Sequence, residues 1–143
     1  MRRFRNRTIS WMLILAIVVA LLPQLPVSTN AAASAYFQFN DFSTESTSPT
    51  EVNSNVIDVA GTFSNVSSST ITYKIEKLVY KSTNADGTIN YDVAESTIGS
   101  TRPVITGTSA FMFAGVSIYD GLNRITVSGA NSSGNIIDGQ AYV

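Results

Sequence analysis

The chain has no cysteine and no histidine among its 143 residues, and its single tryptophan is Trp11. Without imidazole or thiolate, neither a Ser-His-Asp or Cys-His catalytic arrangement nor a zinc site of the usual His/Cys kind can be assembled. Disulfide staples are excluded as well, so an exported domain of this sequence rests on sheet packing, a compositional hint towards a bacterial origin. Charge is scarce: only 13% of residues are charged, nine basic and ten acidic. Four of the nine basic residues, Arg2, Arg3, Arg5 and Arg7, fall in the first seven positions, which leaves five against ten acidic ones and a net charge of −5 beyond them. Nucleic-acid binding needs clustered Lys and Arg to displace counterions from phosphate, and no such cluster remains, so no nucleic-acid partner is expected. No amphipathic helix pattern is found after the N-terminal segment either.

What is present begins with an export signal. The arginines are followed by an unbroken apolar run over residues 11–22, then Pro23, Pro26 and a tract of small residues, the three regions of a secretory signal peptide. Small residues stand at both inspected positions before Ser34 (Ala31 and Ala33) and after Ala35 (Ala33 and Ala35), and cleavage after Ala33 is favoured. The competing reading is an uncleaved membrane anchor. A helix spanning the hydrocarbon core needs about 20 apolar residues, and this run is shorter and ends at proline. The expected division is therefore a signal-peptide helix over 1–33 and one domain over 34–143, long enough for a single core.

From residue 34 the polar and apolar residues alternate with period two, the pattern of half-buried strands. Residues 35–42 place Phe37 and Phe39 on one face, and 43–55 are Ser, Thr and Asn with Pro49, a solvated loop. Residues 56–63 alternate again. In 70–80 the alternation slips after Ile75, which predicts a bulge or a crossing near Lys77. Asp86-Gly87 is a pair suited to a hairpin turn, with 88–93 as the returning strand. Residues 94–109, with Gly99, Pro103 and Gly107, read as an irregular crossover between sheets. Strands follow over 110–118, 122–130 and 136–143, the second placing Ile125 and Val127 inward and Arg124, Thr126 and Ser128 outward. About seven strands without a helix predict an all-β antiparallel sandwich. The last strand reaches Tyr142-Val143 without a polar tail, which suggests a domain cut from a longer chain.

Two segments carry a resemblance. Residues 56–65, VIDVAGTFSN, and 118–135, IYDGLNRITVSGANSSGN, resemble the second-strand motif and the turn, Gly-Leu-Asn, strand, Gly-Asn turn signature of bacterial immunoglobulin-like modules. Such modules occur in large cell-surface and S-layer-associated proteins of Gram-positive bacteria and as accessory domains of secreted glycan-degrading enzymes. The resemblance implies an immunoglobulin-like sandwich that is secreted or at the cell surface, with a spacer, display or adhesion role. Its implied partners are a cell-wall polymer, a polysaccharide, a surface protein or other domains of a longer chain. The membrane is touched only through the signal segment. It brings no catalytic residues.

The residues offer few sites of their own. Asp41, Asp58, Glu76, Asp92, Glu95, Asp120 and Asp138 are scattered singly, on positions expected to face solvent, whereas glycoside hydrolysis needs two carboxyl groups about 5 to 9 Å apart. No catalytic residue, cofactor-binding residue or metal ligand is expected, and the chain is read as a non-enzyme. Calcium is the one ion with a rationale, through Asp120 and Asn123 in one turn and Asn131, Asn135 and Asp138 around another, but neither loop has the dense acidic spacing of a dedicated site, and turn formation is the default reading of Asn and Asp there. Asn65-Val66-Ser67 and Asn131-Ser132-Ser133 match the N-glycosylation pattern at the frequency this composition produces by chance. Tyr119 is expected to fold its hydroxyl back onto nearby backbone at the corner before a late strand. Tyr36, Tyr73, Tyr80 and Tyr91 would bind pyranose rings if they shared one exposed face, which is the basis of the alternative reading as a carbohydrate-binding accessory domain.

Overall fold

Period-two alternation resolves into eight β-strands in a computed structural model, which describes residues 34–143. The signal peptide expected over residues 1–33 lies outside the described residues. The strands are β1 (Tyr36–Phe39), β2 (Val56–Ser64), β3 (Thr72–Thr83), β4 (Ile89–Ile98), β5 (Val104–Thr106), β6 (Ala110–Ser117), β7 (Asn123–Ala130) and β8 (Ile136–Tyr142), with one 3-10 turn at Ser68–Thr70. No α-helix occurs among the described residues. All pairings are antiparallel and build two four-stranded sheets, ordered β1-β2-β6-β5 and β4-β3-β7-β8.

The inward positions of both sheets share one core. Phe39, Val59, Phe63, Phe111, Phe113 and Val116 come from the first sheet, and Ile75, Ile125, Val127 and Ala141 from the second. Ile125 and Val127 are fully buried, so the register expected for β7 is the one adopted. The slip expected near Lys77 is a register shift between Lys77 and Leu78, with Ala94 of β4 left without a partner. Leu78, the first residue past that irregularity, is buried although it stands three positions after Ile75.

The strand count and the crossover differ from the sequence reading. There are eight strands, because β4 continues through Ile98 and only residues 99–103 cross to β5, where an irregular stretch was expected from 94 to 109. The reason is that β4 is an edge strand whose residues 92–98 are all exposed. A strand with no buried face shows no alternation to read. The first strand is shorter than expected, ending at Phe39, and residues 43–55 form the long loop that follows.

Two features of this frame place the site. First, β3 pairs with β7 only as far as Lys77↔Asn123, while β3 and β4 continue together to the turn at 84–88. The result is a two-stranded hairpin that projects past the end of the sheet. Its turn closes as expected, with Gly87 at φ 86 and the Thr88 N–H donating to Asp86 Oδ1 at 2.9 Å. Second, the described chain enters and leaves at opposite ends. Tyr36 pairs with Ser64, near the Val66↔Asn131 bridge, whereas Tyr142 pairs with Arg124 at the other end of β7.

Gly61, inside the VIDVAGTFSN segment, is required by packing. A Cβ there would lie 2.2 Å from the Gln38 carbonyl oxygen and 2.8 Å from the Phe111 ring. Backbone cannot yield as a side-chain tip can. Gly61→Ala is expected to cost about 1 to 3 kcal/mol by overpacking and to loosen β1. Amide hydrogen exchange checks this: protection should fall first at residues 36–39, and unchanged protection there would refute the argument.

Candidate functional site

At the end of the sandwich where β8 finishes, residues 49–55 and the 118–122 turn form the two walls of an open groove of about 540 Å³. Both walls are fastened to the sheets. The Thr50 N–H donates to the Tyr142 carbonyl at 3.0 Å, its Oγ1 accepts from the Ser43 N–H at 2.8 Å, and the Ile118 N–H reaches the Asn55 carbonyl at 2.9 Å. The second wall is held by Asn123. Its Oδ1 accepts from the Tyr119 N–H at 2.9 Å, and its Nδ2 donates to the carbonyls of Tyr119 at 2.7 Å and Gly121 at 2.8 Å. A groove secured this way is formed before any ligand arrives.

Its surface chemistry is mixed. Val52, Ile118 and Leu122 supply apolar area, while Glu51, Asn53, Asn55 and Asp120 line it with side chains that make no hydrogen bond or ion pair among the described residues. No Lys or Arg lines it. Four of the five basic residues described are committed elsewhere: Lys74 and Arg124 to Glu76, Lys77 to Glu95, and Lys81 to Asp92. The fifth, Arg102, lies beside Ser68 and Ser69 in a second, smaller recess.

The residues singled out from the sequence fall into different places. Asn123 is fully buried, with both ends of its carboxamide occupied by backbone, so it is not available to a calcium ion with Asp120. Asn131 Oδ1 likewise accepts from the N–H groups of Ser133 and Asn135 at 2.9 and 3.0 Å, which makes the second Asn-rich turn rather than opening it. Asp138 stands on β8 opposite Ser128. Tyr119 does not fold its hydroxyl onto the backbone. It shares a hydrogen bond with the Thr97 hydroxyl of β4, and the corner is fixed by Asn123 instead.

The tyrosines do not form one face. Tyr73 packs edge-on against Phe113 with centroids 4.6 Å apart and covers Gly99, and Tyr36 is on the edge strand of the other sheet. Tyr80 and Tyr91 are brought together as cross-strand partners on the projecting hairpin. Tyr80 is 66% exposed, and the Tyr91 hydroxyl lies 3.5 Å from the Ser46 carbonyl, in the loop that continues into the groove wall.

Glu76 corrects the picture of carboxylates scattered in solvent. It is only 6% exposed, on the outer face of β3, with Oε1 2.8 Å from Lys74 Nζ and Oε2 2.8 Å from both Arg124 Nε and Nη2. The stems of its two cationic partners account for the cover. Burial pushes its pKa up, but hydrogen bonds and charge from Lys74 and Arg124 prevail, so it titrates below the ordinary 4.5. A depressed folded-state pKa stabilises the fold above the unfolded value and loses that contribution as pH falls through the folded one. The urea midpoint is therefore expected to drop below pH 4.5 in the wild type, and less steeply in Glu76→Gln, which at neutral pH loses about 1 to 2 kcal/mol. Parallel acid slopes for the two proteins would sink this assignment.

No protein family matches this chain, and neither does any curated protein or solved structure.

Proposed function

We propose that the chain is an exported, immunoglobulin-like module that acts as a non-enzymatic spacer or adhesion unit at a bacterial cell surface. The observation that carries this reading is the strand order. Naming the strands A, B, C, C′, D, E, F and G along the chain, the sheets β1-β2-β6-β5 and β4-β3-β7-β8 become ABED and C′CFG, the immunoglobulin arrangement with one added strand. Opposite entry and exit points of the described chain suit a unit that holds neighbours apart along the strand direction. The N-terminal signal pattern supports export.

The test is to express the chain with a C-terminal epitope in a bacterial host. Mass spectrometry of the N-terminus and protease shaving of intact cells then report its fate. Cleavage before Ser34 and loss of the epitope to protease are the expected results. An intact N-terminus on a surface-exposed chain would instead select the membrane-anchored form, and protection of the epitope inside the cell would overturn the proposal.

A further inference from the structure

We infer that the groove between residues 49–55 and 118–122 binds an uncharged oligosaccharide. The inference rests on the reading of the chain as a surface module and names what that module would hold. Charge narrows the ligand first. The rim offers Glu51 and Asp120, with no Lys or Arg lining the groove, so phosphate-, sulfate- or uronate-bearing polymers are repelled. Hydrogen-bonding capacity narrows it further. Two free carboxylates accept from hydroxyls, and the free carboxamides of Asn53 and Asn55 both donate and accept, a set that matches the paired hydroxyls of a sugar ring. Val52, Ile118 and Leu122 supply apolar surface for the ring's C–H faces. The volume of about 540 Å³ is in the range of small-molecule sites, and the groove is open to solvent.

The projecting hairpin extends the site. Tyr80 and Val93 belong to the same face of it as buried Leu78, and they are 66% and 46% exposed. Tyr91 ties that face to Ser46 in the 43–55 loop. A saccharide leaving the groove along this loop meets Tyr80, an aromatic face free for stacking.

The test is isothermal titration of the full-length chain, kept in mild detergent, with cellohexaose, xylohexaose, mannohexaose and chitohexaose, and with polygalacturonate and hexalysine as charged controls. At least one neutral hexasaccharide is expected to bind, and polygalacturonate is not. Asn53→Ala with Asn55→Ala should weaken that binding by about tenfold or more. Its melting temperature should stay that of the wild type, since these side chains bond to nothing in the described chain. Tyr80→Ala should weaken the hexasaccharide more than the matching trisaccharide. Binding of none of the four neutral probes, binding of hexalysine alone, or full affinity in the Asn53/Asn55 variant would each overturn the inference. Surface shaving is independent of these titrations, so an exported chain that ignores all four sugars leaves the spacer reading standing and removes only the site.

Discussion

Phe113→Ala is expected to remove about 3 to 5 kcal/mol of stability, the largest loss of any single truncation in this domain. Phe113 is fully buried on β6, where a chain of ring contacts crosses from one sheet to the other. Its centroid is 4.6 Å from that of Tyr73 on β3 and 6.0 Å from that of Phe111, which in turn meets Phe37 at 5.8 Å and Phe39 at 6.2 Å. Removing the middle ring strands its neighbours. A domain of this size has about 5 to 15 kcal/mol in total, so the variant sits near its unfolding threshold. Urea denaturation followed by circular dichroism measures the loss directly. Phe113→Leu, which keeps most of the volume, should cost less than half as much. Equal costs for the two would mean that the loss lies in the ring contacts themselves and that filled space contributes nothing.

The second large effect belongs to Asn123. Asn123→Ala leaves the Tyr119 N–H and the carbonyls of Tyr119 and Gly121 without their partner at the end of the core, which is expected to cost about 3 kcal/mol. Asn123→Asp separates geometry from chemistry. It keeps the acceptor for the Tyr119 N–H but turns a carboxylate oxygen towards two carbonyl oxygens, so its penalty at neutral pH should exceed that of alanine and shrink on acidification as the buried acid takes up a proton. A penalty independent of pH would show that the turn rearranges and that Asn123 does not set it. Tyr119→Phe is the control. It loses one hydroxyl bond to Thr97 near solvent and is expected to cost only about 0.5 kcal/mol.

Where a segment has one wet and one dry face, its sequence announced it. Phe39, Val59, Phe63, Ile75, Ile125 and Val127 all lie inward as their alternation implies, and the slip after Ile75 marks a real change of register. β4 escaped the same reading beyond residue 93 because both its faces are exposed, leaving Val93 and Ile98 no apolar face to share. Glu76 escaped for the opposite reason: a carboxylate at an outward position reads as solvated, and Arg124, which arrives from β7 and is 48 residues away, joins Lys74 in covering it. The groove was the least legible part. Its walls come from a Ser/Thr/Asn loop and a tight turn with no periodicity, and they meet through backbone bonds such as Ile118 to Asn55 that no side-chain pattern encodes. Asn123 is instructive in this respect, since its type and its place in a turn suited a metal ligand and a structural brace alike. Burial alone separates the two.

The opposed positions of Tyr36 and Tyr142 determine how the domain answers a mechanical load. Tension applied between residues 34 and 143 runs nearly parallel to the strands, while the bonds between antiparallel neighbours lie across them. Seven rungs join β7 to β8 and four join β1 to β2, so the load is shared as shear over each ladder and does not peel the rungs off one after another. The shorter ladder, β1 on β2, is the weaker mechanical element. Under rising force it is expected to slip first, drawing Phe37 and Phe39 away from Phe111 before the β7–β8 ladder yields.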